Sequence, residues 1–206
     1  MTITLYHHPF SRASTVVWML EEVGVPYELS YVDFTTGAQK KPDFLAINPM
    51  GKLPTLVDGD VVATEVAAIG LYLADRYAHG KLAPALDDPA RATYFRWALY
   101  APSVIEPGSV AKASKWEFKA SQVGWGDYAS MLETIERAVS HGDFLLGERF
   151  TMADVIFGAT LRYMLRFNMI EPRAAYRAYI DRLEARPALA RADAINARIA
   201  KEHNLG

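Results

Sequence analysis

The stretch Asn48-Pro-Met-Gly-Lys-Leu-Pro54 decides how the first part of this chain is read, together with Thr64-Glu65 about ten residues later. Its second proline stands at the start of a strand pattern that runs to Val57, where a missing N–H is tolerated. Asp58-Gly59 marks a hairpin, so the β-branched residues after it predict an antiparallel return strand. Thr64 then follows as the predicted cap of a helix that runs to Tyr77.

The residues upstream of this stretch show a strand, a helix and a second strand. Residues 3–6 are β-branched and aromatic, and residues 27–32 alternate between apolar and polar. A strand, helix and strand in this order favour a parallel crossover, and a short helix is predicted over 43–47. The first helix is predicted from Ser11 to a stop at Gly24, because its apolar residues share one face: Ala13, Val16, Val17 and Leu20.

The residues after Tyr77 change character and predict a separate helical domain. Residues 79–89 contain glycine, prolines and paired aspartates, which is typical of a linker. Thr151-Met-Ala-Asp154 predicts a capping box at the start of one helix. The predicted fold class is therefore an α/β N-terminal domain followed by an all-α C-terminal domain. Its helices are expected at 90–118, 126–141, 152–167, 173–185 and 188–202.

The composition excludes several functional classes. The 206 residues carry a formal net charge of −2, so nothing favours a nucleic-acid partner. There is no cysteine, which excludes disulfides, cysteine-based zinc sites and a cysteine nucleophile. No apolar run approaches the roughly 20 residues of a membrane span, and the first residues show a strand pattern without signal-peptide character. We therefore expect a cytoplasmic protein with no membrane partner and no nucleic-acid partner.

The pair His7-His8 is the first candidate for a metal site. Adjacent residues of a strand point to opposite faces, so these two imidazoles do not easily chelate one ion. The five histidines of the chain show no ligand spacing, and we expect no metal.

Several segments occur together in an order that resembles the cytosolic glutathione S-transferases, bacterial and fungal members especially. The resemblance covers nearly the whole chain. It implies a thioredoxin-like, glutathione-binding domain at 1–78, a linker at 79–89, a helical domain at 90–206 that contributes the electrophile pocket, and a homodimer. The matching segments are Leu5-Tyr6 with Pro9 and Ser11, Trp18–Glu22 with Gly24, Asn48–Pro54, Thr64–Ile69 and Phe150–Asp154.

The resemblance also implies where glutathione binds. The backbone of Leu53, exposed by a cis Pro54, would pair with the cysteinyl part. Lys52 is the candidate partner of the glycyl carboxylate, with a solvated loop lysine as the alternative. Glu65, expected in the first turn of its helix, would pair with the γ-glutamyl ammonium or only complement the helix dipole. Many relatives have serine or threonine where this chain has Val66, so its N–H alone serves the γ-glutamyl carboxylate, and weaker or rearranged binding is expected.

The reacting sulfur needs a group that stabilises its thiolate, because a thiol with a pKa of about 8.5 is mostly protonated at neutral pH. Ser11, at the junction of strand and helix, is placed to donate a hydrogen bond or simply to cap the helix. Arg12 falls near the position where some relatives carry cysteine and would act by charge. Tyr6 ends the first strand, like the catalytic tyrosine of other classes. Ser14 is the least favoured candidate for stabilising the thiolate. Ser11, Arg12 and Tyr6 stay open as alternatives.

The predicted function is a transferase that conjugates glutathione, its co-substrate, to small hydrophobic electrophiles, as in detoxification. One alternative is a glutathione-dependent peroxidase or reductase that uses the same thiolate. The other is a non-catalytic ligand-binding protein on the same fold. The absence of cysteine disfavours a thioltransferase, which forms a mixed disulfide. Six residues are candidates for the wall of the electrophile pocket: Trp97, Tyr100, Ile105, Trp116, Tyr163 and Phe167.

Overall fold

The chain divides into two compact units in the structure, a computed structural model that describes residues 2–205. The first unit contains the described residues up to Tyr77 and those from Pro187 onward, and the second contains Ala78–Arg186. The domain limits predicted from the sequence stay a prediction, and their outer ends, Met1 and Gly206, lie outside the described residues. The structure adds that the segment from Pro187 packs with the first unit, which the helical pattern alone did not indicate.

A four-stranded mixed sheet forms the centre of the first unit. β2 (Tyr27–Tyr31) is parallel to β1 (Ile3–His7), whereas β3 (Thr55–Asp58) is antiparallel to both β1 and β4 (Val61–Thr64). The parallel crossover and the hairpin predicted at Asp58-Gly59 are confirmed, and the α/β class predicted for this part is confirmed with them. The strands lie side by side in the order β2-β1-β3-β4.

Three helices accompany this sheet: α1 (Ala13–Val23), α2 (Pro42–Ile47) and α3 (Val66–Tyr77). α1 packs against α3. Gly24 ends α1 in the left-handed conformation at φ 75°, and its N–H lies 2.9 Å from the Leu20 carbonyl oxygen. The predicted stop is therefore confirmed. The predicted apolar face of α1 is completely buried: Ala13, Val16, Val17 and Leu20.

Helices dominate the second unit, so the all-α class predicted for this region is confirmed. They are α4 (Ala90–Tyr100), α5 (Glu106–Ala113), α6 (Tyr128–Ser140), α7 (Met152–Arg166) and α8 (Ala174–Glu184). The single helix predicted over 90–118 is wrong. A π-helical segment at Ala101–Ile105 interrupts it, where Pro102 lacks the N–H that a regular turn uses, and the helix ends at Ala113. Within residues 2–205, none of the helices combines the length and apolarity needed to cross a bilayer.

A capping box opens α7, as predicted. Asp154 Oδ2 accepts hydrogen bonds from the Thr151 backbone N–H at 2.9 Å and from the Thr151 hydroxyl at 3.1 Å. Asp154 Oδ1 accepts from the Leu145 N–H at 2.8 Å and from the Tyr179 hydroxyl at 3.0 Å. Asp154 and Tyr179 are completely buried. This carboxylate therefore joins three segments of the helical unit.

Helix α9 (Pro187–Glu202) packs along α1, although it follows the whole helical unit in the sequence. Arg191 forms an ion pair with Glu21, with 2.6 Å between Nε and Oε2. His7 Nε2 donates a hydrogen bond to Asn196 Oδ1 at 2.7 Å. The ion pair attaches α9 to α1, and the hydrogen bond attaches α9 to the end of β1.

Stability is expected to depend on pH through His7. Burial lowers the pKa of His7 from 6.5 to about 4, while the hydrogen bond to Asn196 acts in the opposite direction. The folded state therefore holds the neutral imidazole. The resulting stability is complete above pH 6.5 and is lost as the pH falls from there toward 4. In urea denaturation, the unfolding free energy of wild type minus that of His7→Gln should fall by about 3 kcal/mol between pH 7 and pH 4.

A difference between variants is measured because other buried groups titrate in the same range. Burial also lowers the pKa of His8, and it raises the pKa of Asp154 to about 6. The contribution of Asp154 is common to wild type and variant, so it cancels in the difference, whereas the charge of His8 also lowers the pKa of His7 and remains part of the measured difference. His141→Gln, at an exposed position, serves as the control. A difference for His7→Gln that stays constant from pH 7 to pH 4 would contradict the prediction.

Candidate functional site

Three loops leave the sheet at the same edge. Tyr6, near the end of β1, pairs with Thr55 at the start of β3, and Thr55 pairs in turn with Thr64 at the end of β4. Neighbouring strands lie about 4.8 Å apart. The segments that follow β1, precede β3 and follow β4 therefore emerge side by side. They carry the residues predicted from the sequence: Ser11 and Arg12, then Lys52, Leu53 and Pro54, then Glu65 and Val66.

The loop before β3 is held by the side chain of Asn48, which is only 3% exposed. Its amide nitrogen donates to the Lys52 carbonyl at 3.0 Å and to the Thr55 hydroxyl at 2.9 Å. Its amide oxygen accepts the Met50 N–H at 3.1 Å. Asn48 belongs to the Asn48–Pro54 motif, but the motif alone predicted no role for it. An asparagine directly after a short helix and before a proline is the signal that indicates such a turn.

The peptide bond between Leu53 and Pro54 is cis, as predicted. Gly51 shapes the loop before it, with φ 57°. A Cβ at this position would lie 2.7 Å from the carbonyl oxygen of Gln39, so glycine is required. Lys52, the predicted partner of a carboxylate, has an exposed side chain.

Glu65 lies ahead of α3 rather than inside it. α3 begins at Val66 and Thr64 is the last residue of β4, so the prediction that Thr64 caps the helix and Glu65 occupies its first turn is wrong. The Glu65 carbonyl accepts the Ile69 N–H at 2.9 Å, which makes Glu65 the cap. Its φ of 64° costs a residue with a Cβ about 1 kcal/mol or more. The first N–H groups of a helix have no intrahelical acceptor, so those of Val66 and Ala67 are suited to bind an anion.

Ser11 lies in the turn between β1 and α1, and it is half-buried. Its hydroxyl donates to the His8 carbonyl at 2.8 Å, and its oxygen accepts the Ala13 N–H at 3.1 Å. The Ser11 backbone N–H donates to the same His8 carbonyl at 3.0 Å. The hydroxyl therefore supports the turn, and the His8 carbonyl has a second donor that does not depend on it.

The two other candidates for thiolate stabilisation border the same edge. Arg12 occupies the cap position of α1 and is half-buried. Tyr6 is half-buried in β1, and its ring meets that of Phe44 edge to face with centroids 5.5 Å apart. Ser14 instead donates its hydroxyl proton to the Ser11 carbonyl at 2.9 Å. The geometry thus brings Ser11, Arg12 and Tyr6 to one edge.

His8 has a buried ring beside the candidate loop. Its Nδ1 accepts the Phe10 N–H at 3.1 Å, and its ring centroid lies 4.0 Å from that of Phe34. Burial lowers the pKa of His8, so the imidazole is neutral at neutral pH. His7 binds Asn196 instead. In the part of the chain that the structure describes, no three histidine, aspartate or glutamate side chains are grouped so that they could hold a metal ion.

The helical unit contains a pocket of about 620 Å³, lined by the end of α5, the segment after it and the start of α6. This volume lies in the range of small-molecule sites, roughly 300–1,000 Å³. The charged residues of its lining are Lys112, Lys115 and Glu117. The aromatic residues of its lining are Trp116, Phe118, Trp125 and Tyr128. The walls therefore combine flat apolar surfaces with charge of both signs.

Of the six residues predicted to line an electrophile pocket, Trp116 lines this one. Tyr163 and Phe167 form a separate ring pair with centroids 4.6 Å apart, and both are exposed. The other three belong to the packed interior of the helical unit or its edge: Trp97, Tyr100 and Ile105. Of the five aromatic residues in this set, Trp97 is buried, Tyr100 is half-buried, and the other three are exposed.

Comparison with known proteins gives two family matches that together span most of the chain. Residues 1–75 match the family described as "Glutathione S-transferase, N-terminal domain", and residues 74–192 match "Glutathione S-transferase, C-terminal domain". The "Glutathione S-transferase 3" of Zea mays is 32% identical over 206 residues, an alignment that covers 90% of each protein.

Solved structures with the same fold include several with a glutathione species. A glutathione transferase homologue from Sulfitobacter with bound glutathione is 28% identical, has a TM-score of 0.74, and is matched over 92% of this chain and 96% of its own. The glutathione transferase URE2P6 from Phanerochaete chrysosporium, in complex with oxidized glutathione, is 26% identical, with a TM-score of 0.79 and coverage of 96% and 97%.

Proposed function

The chain belongs to the cytosolic glutathione S-transferase family and is a glutathione S-transferase, and on that basis we propose that it transfers the thiolate of glutathione to small hydrophobic electrophiles in detoxification. The observation that carries this proposal is the row of Tyr6, Thr55 and Thr64, which gathers three loops at one edge of the sheet. Glutathione is the co-substrate, and the proposed chemistry uses no metal.

Each part of glutathione has a proposed partner on these loops. The γ-glutamyl ammonium pairs with the Glu65 carboxylate, and the γ-glutamyl carboxylate accepts from the Val66 N–H at the start of α3. The cysteinyl part pairs with the backbone of Leu53, which precedes Pro54. The exposed ammonium of Lys52 pairs with the glycyl carboxylate. Since valine has no hydroxyl, the backbone alone serves the γ-glutamyl carboxylate at residue 66.

Ser11 is the proposed donor to the sulfur. Its hydroxyl must turn away from the His8 carbonyl to reach a thiolate, but the Ser11 N–H still donates to that carbonyl at 3.0 Å. The rotation therefore leaves no buried acceptor without a donor. Arg12 adds positive charge at the start of α1, which further favours the thiolate. The thiolate then attacks the electrophilic carbon, forming a C–S bond while the leaving group departs with its bonding electrons.

The electrophile is proposed to bind in the 620 Å³ pocket of the helical unit. Trp116, Phe118 and Trp125 offer it flat apolar surface, which suits a small hydrophobic molecule. We also propose a homodimer located in the cytoplasm, on the strength of the family relationship. Sedimentation velocity of the purified protein tests the dimer.

Isothermal titration calorimetry with glutathione is the first test of this function. We expect binding with one site per chain, and the absence of heat at millimolar glutathione would end the proposal. Binding without turnover of any electrophile would favour the non-catalytic alternative. Turnover of hydroperoxides in the absence of conjugation would favour the peroxidase alternative.

Replacing Glu65 with glycine is expected to weaken glutathione binding about tenfold or more, because a charge-assisted hydrogen bond to the ammonium is lost. The same change should raise the melting temperature slightly, since glycine adopts φ 64° without strain. Glutathione affinity should fall while the melting temperature rises, so the effect on the ligand contact can be told apart from an effect on folding. Calorimetry measures the affinity, and thermal denaturation measures the melting temperature. Glu28→Gln, at an exposed position of β2, is the control. Unchanged affinity in Glu65→Gly would leave Glu65 with a purely structural role.

A further inference from the structure

The turn that carries Ser11 is held by hydrogen bonds to one residue, His8. The Ser11 backbone N–H donates to the His8 carbonyl at 3.0 Å, which closes a β-turn over residues 8–11 with proline at its second position. The Ser11 hydroxyl donates to the same carbonyl at 2.8 Å. Pro9 has no N–H, so the Phe10 N–H is the remaining donor inside the turn, and it donates to His8 Nδ1 at 3.1 Å. All three bonds therefore end on His8.

The bond to Nδ1 carries more weight when Ser11 acts on a thiolate. The Ser11 hydroxyl then donates to the sulfur instead of the His8 carbonyl. The turn keeps two bonds, from the Ser11 N–H to that carbonyl and from the Phe10 N–H to Nδ1. The first joins two backbone groups, which nearly every residue type provides. The second exists because residue 8 has a side chain that accepts a hydrogen bond.

The Nδ1 atom of His8 accepts this bond only while the imidazole is neutral and carries its proton on Nε2. His8 is 1% exposed, and this burial lowers its pKa, so the neutral form prevails at neutral pH. Of the nearby charged groups, Asp33 raises the pKa of His8 and His203 lowers it. Nε2 is buried without a hydrogen-bond partner among residues 2–205. A buried donor left unsatisfied costs stability, which points to a use for the acceptor at Nδ1.

Aromatic neighbours hold the imidazole in place. Its centroid lies 4.0 Å from that of Phe34, 5.5 Å from that of Tyr31 and 5.9 Å from that of Phe10. Tyr31 stacks in turn on His203, with centroids 3.6 Å apart and 9° between the planes. A ring enclosed in this way cannot rotate without displacing its neighbours. Nδ1 therefore stays directed at the Phe10 N–H.

We propose that His8 is a positioning residue for the activation of glutathione. Its neutral Nδ1 accepts the Phe10 N–H and so fixes the turn from which Ser11 donates to the sulfur. This inference rests on the proposed transferase function. In this arrangement the His8 side chain touches neither the sulfur nor the electrophile, and it acts only through Ser11.

Two substitutions separate the acceptor of His8 from its ring. His8→Asn removes the ring but supplies an amide oxygen, and asparagine side chains accept the N–H two residues further along the chain. His8→Phe keeps an aromatic ring and has no acceptor. His141→Gln, at an exposed position of the helical unit, is the control. Ultraviolet titration measures the pKa of the bound glutathione thiol. Calorimetry with S-methylglutathione, which has no ionisable thiol, measures an affinity that does not depend on the thiolate.

We expect His8→Phe to raise the pKa of the bound thiol by roughly 0.5–1, a three- to tenfold shift of the thiol–thiolate equilibrium, because a hydrogen bond that supports the turn is lost. His8→Asn and His141→Gln should retain the wild-type pKa. The affinity for S-methylglutathione should stay unchanged in all three variants, which also shows that they are folded. In a Ser11→Gly background, His8→Phe should add no further shift, because His8 acts through Ser11.

Three outcomes overturn this inference while leaving the transferase intact. The first is a His8→Asn variant whose bound thiol has the same pKa as that of His8→Phe, because the acceptor would then be irrelevant. The second is a loss of S-methylglutathione affinity in His8→Phe or His8→Asn, since His8 would then support the whole site. The third is a further shift in the Ser11→Gly background. If wild type binds neither glutathione nor S-methylglutathione, the proposed function fails, and the inference fails with it.

Discussion

Replacing Asp154 with alanine is expected to lower the free energy of unfolding by about 2–6 kcal/mol, because each buried donor left without an acceptor costs roughly 1–3 kcal/mol. The carboxylate accepts four hydrogen bonds, from two groups of Thr151, from Leu145 and from Tyr179. Hydroxyl groups can rotate toward other acceptors, but the N–H groups of Leu145 and Thr151 are fixed by the backbone. The alanine variant leaves these two donors buried and unsatisfied.

Chemical denaturation of wild type and Asp154→Ala measures this loss, and Asp127→Ala provides the matched control. Asp127 caps α6 and accepts from the Ser130 N–H at 2.9 Å, but this bond is exposed. Water replaces the lost acceptor there, so we expect a loss of only about 1 kcal/mol. Equal losses of unfolding free energy in the two alanine variants would contradict the prediction, because burial of the Asp154 network would then not increase the loss. Turnover per folded molecule should persist in both.

The same comparison has an expected pH dependence. Burial raises the pKa of Asp154 from 3.8 to about 6, although its hydrogen bonds act in the opposite direction. The folded state therefore binds the proton more tightly than the unfolded state. The stability that protonation adds is complete below pH 3.8 and is lost as the pH rises through about 6. The deficit of Asp154→Ala relative to wild type should accordingly be larger at pH 4 than at pH 7.

Replacing Ser11 with glycine is expected to raise the pKa of the bound glutathione thiol by about one to two, because a charge-assisted hydrogen bond is worth roughly 1.5–3 kcal/mol. Conjugation at neutral pH should slow about ten- to a hundredfold and recover at higher pH. Glycine is preferred to alanine because Ser11 lies in the turn before α1, one residue ahead of the Arg12 cap, and glycine suits a turn position. The backbone N–H of residue 11, which binds the His8 carbonyl, is kept.

Ultraviolet titration of the bound thiolate identifies the group that stabilises it. The four variants to compare are Ser11→Gly, Arg12→Ala, Tyr6→Phe and Ser14→Ala. Ser14→Ala is the control, since the Ser14 hydroxyl donates to the Ser11 carbonyl. A shift confined to Tyr6→Phe would place this enzyme in a different mechanistic class. A shift confined to Arg12→Ala would mean that the thiolate is held by charge and that the Ser11 hydroxyl only supports its turn.

Local patterns predicted the elements of the first unit because their signals are short-range. The stop at Gly24, the hairpin at Asp58-Gly59 and the cis bond before Pro54 each depend on a few adjacent residues. The capping box at Thr151 was readable for the same reason. The candidate loops were also found from motifs, since each motif lies directly beside a strand end.

The remaining features depend on contacts between residues that are distant in the sequence. The spacing of apolar residues along the chain does not predict such contacts. The pattern of α9 is helical in either unit, and only its contacts through Arg191 and Asn196 assign it to the first. The left-handed backbone of Glu65 arises where β4 and α3 meet. The pocket at the end of α5 forms because the helix ends at Ala113. The apolar pattern continues to residue 118, so the sequence did not indicate this end.

The position of α9 reverses the order in which the two units are finished during synthesis. A ribosome makes residues 2–77 first, yet α9, which covers α1, emerges only after the contiguous segment Ala78–Arg186. At about 5–20 residues per second, the first unit waits on the order of ten seconds for its missing helix. The nascent N-terminal part therefore exposes the surface of α1 throughout that interval, while the helical part already has all of its sequence.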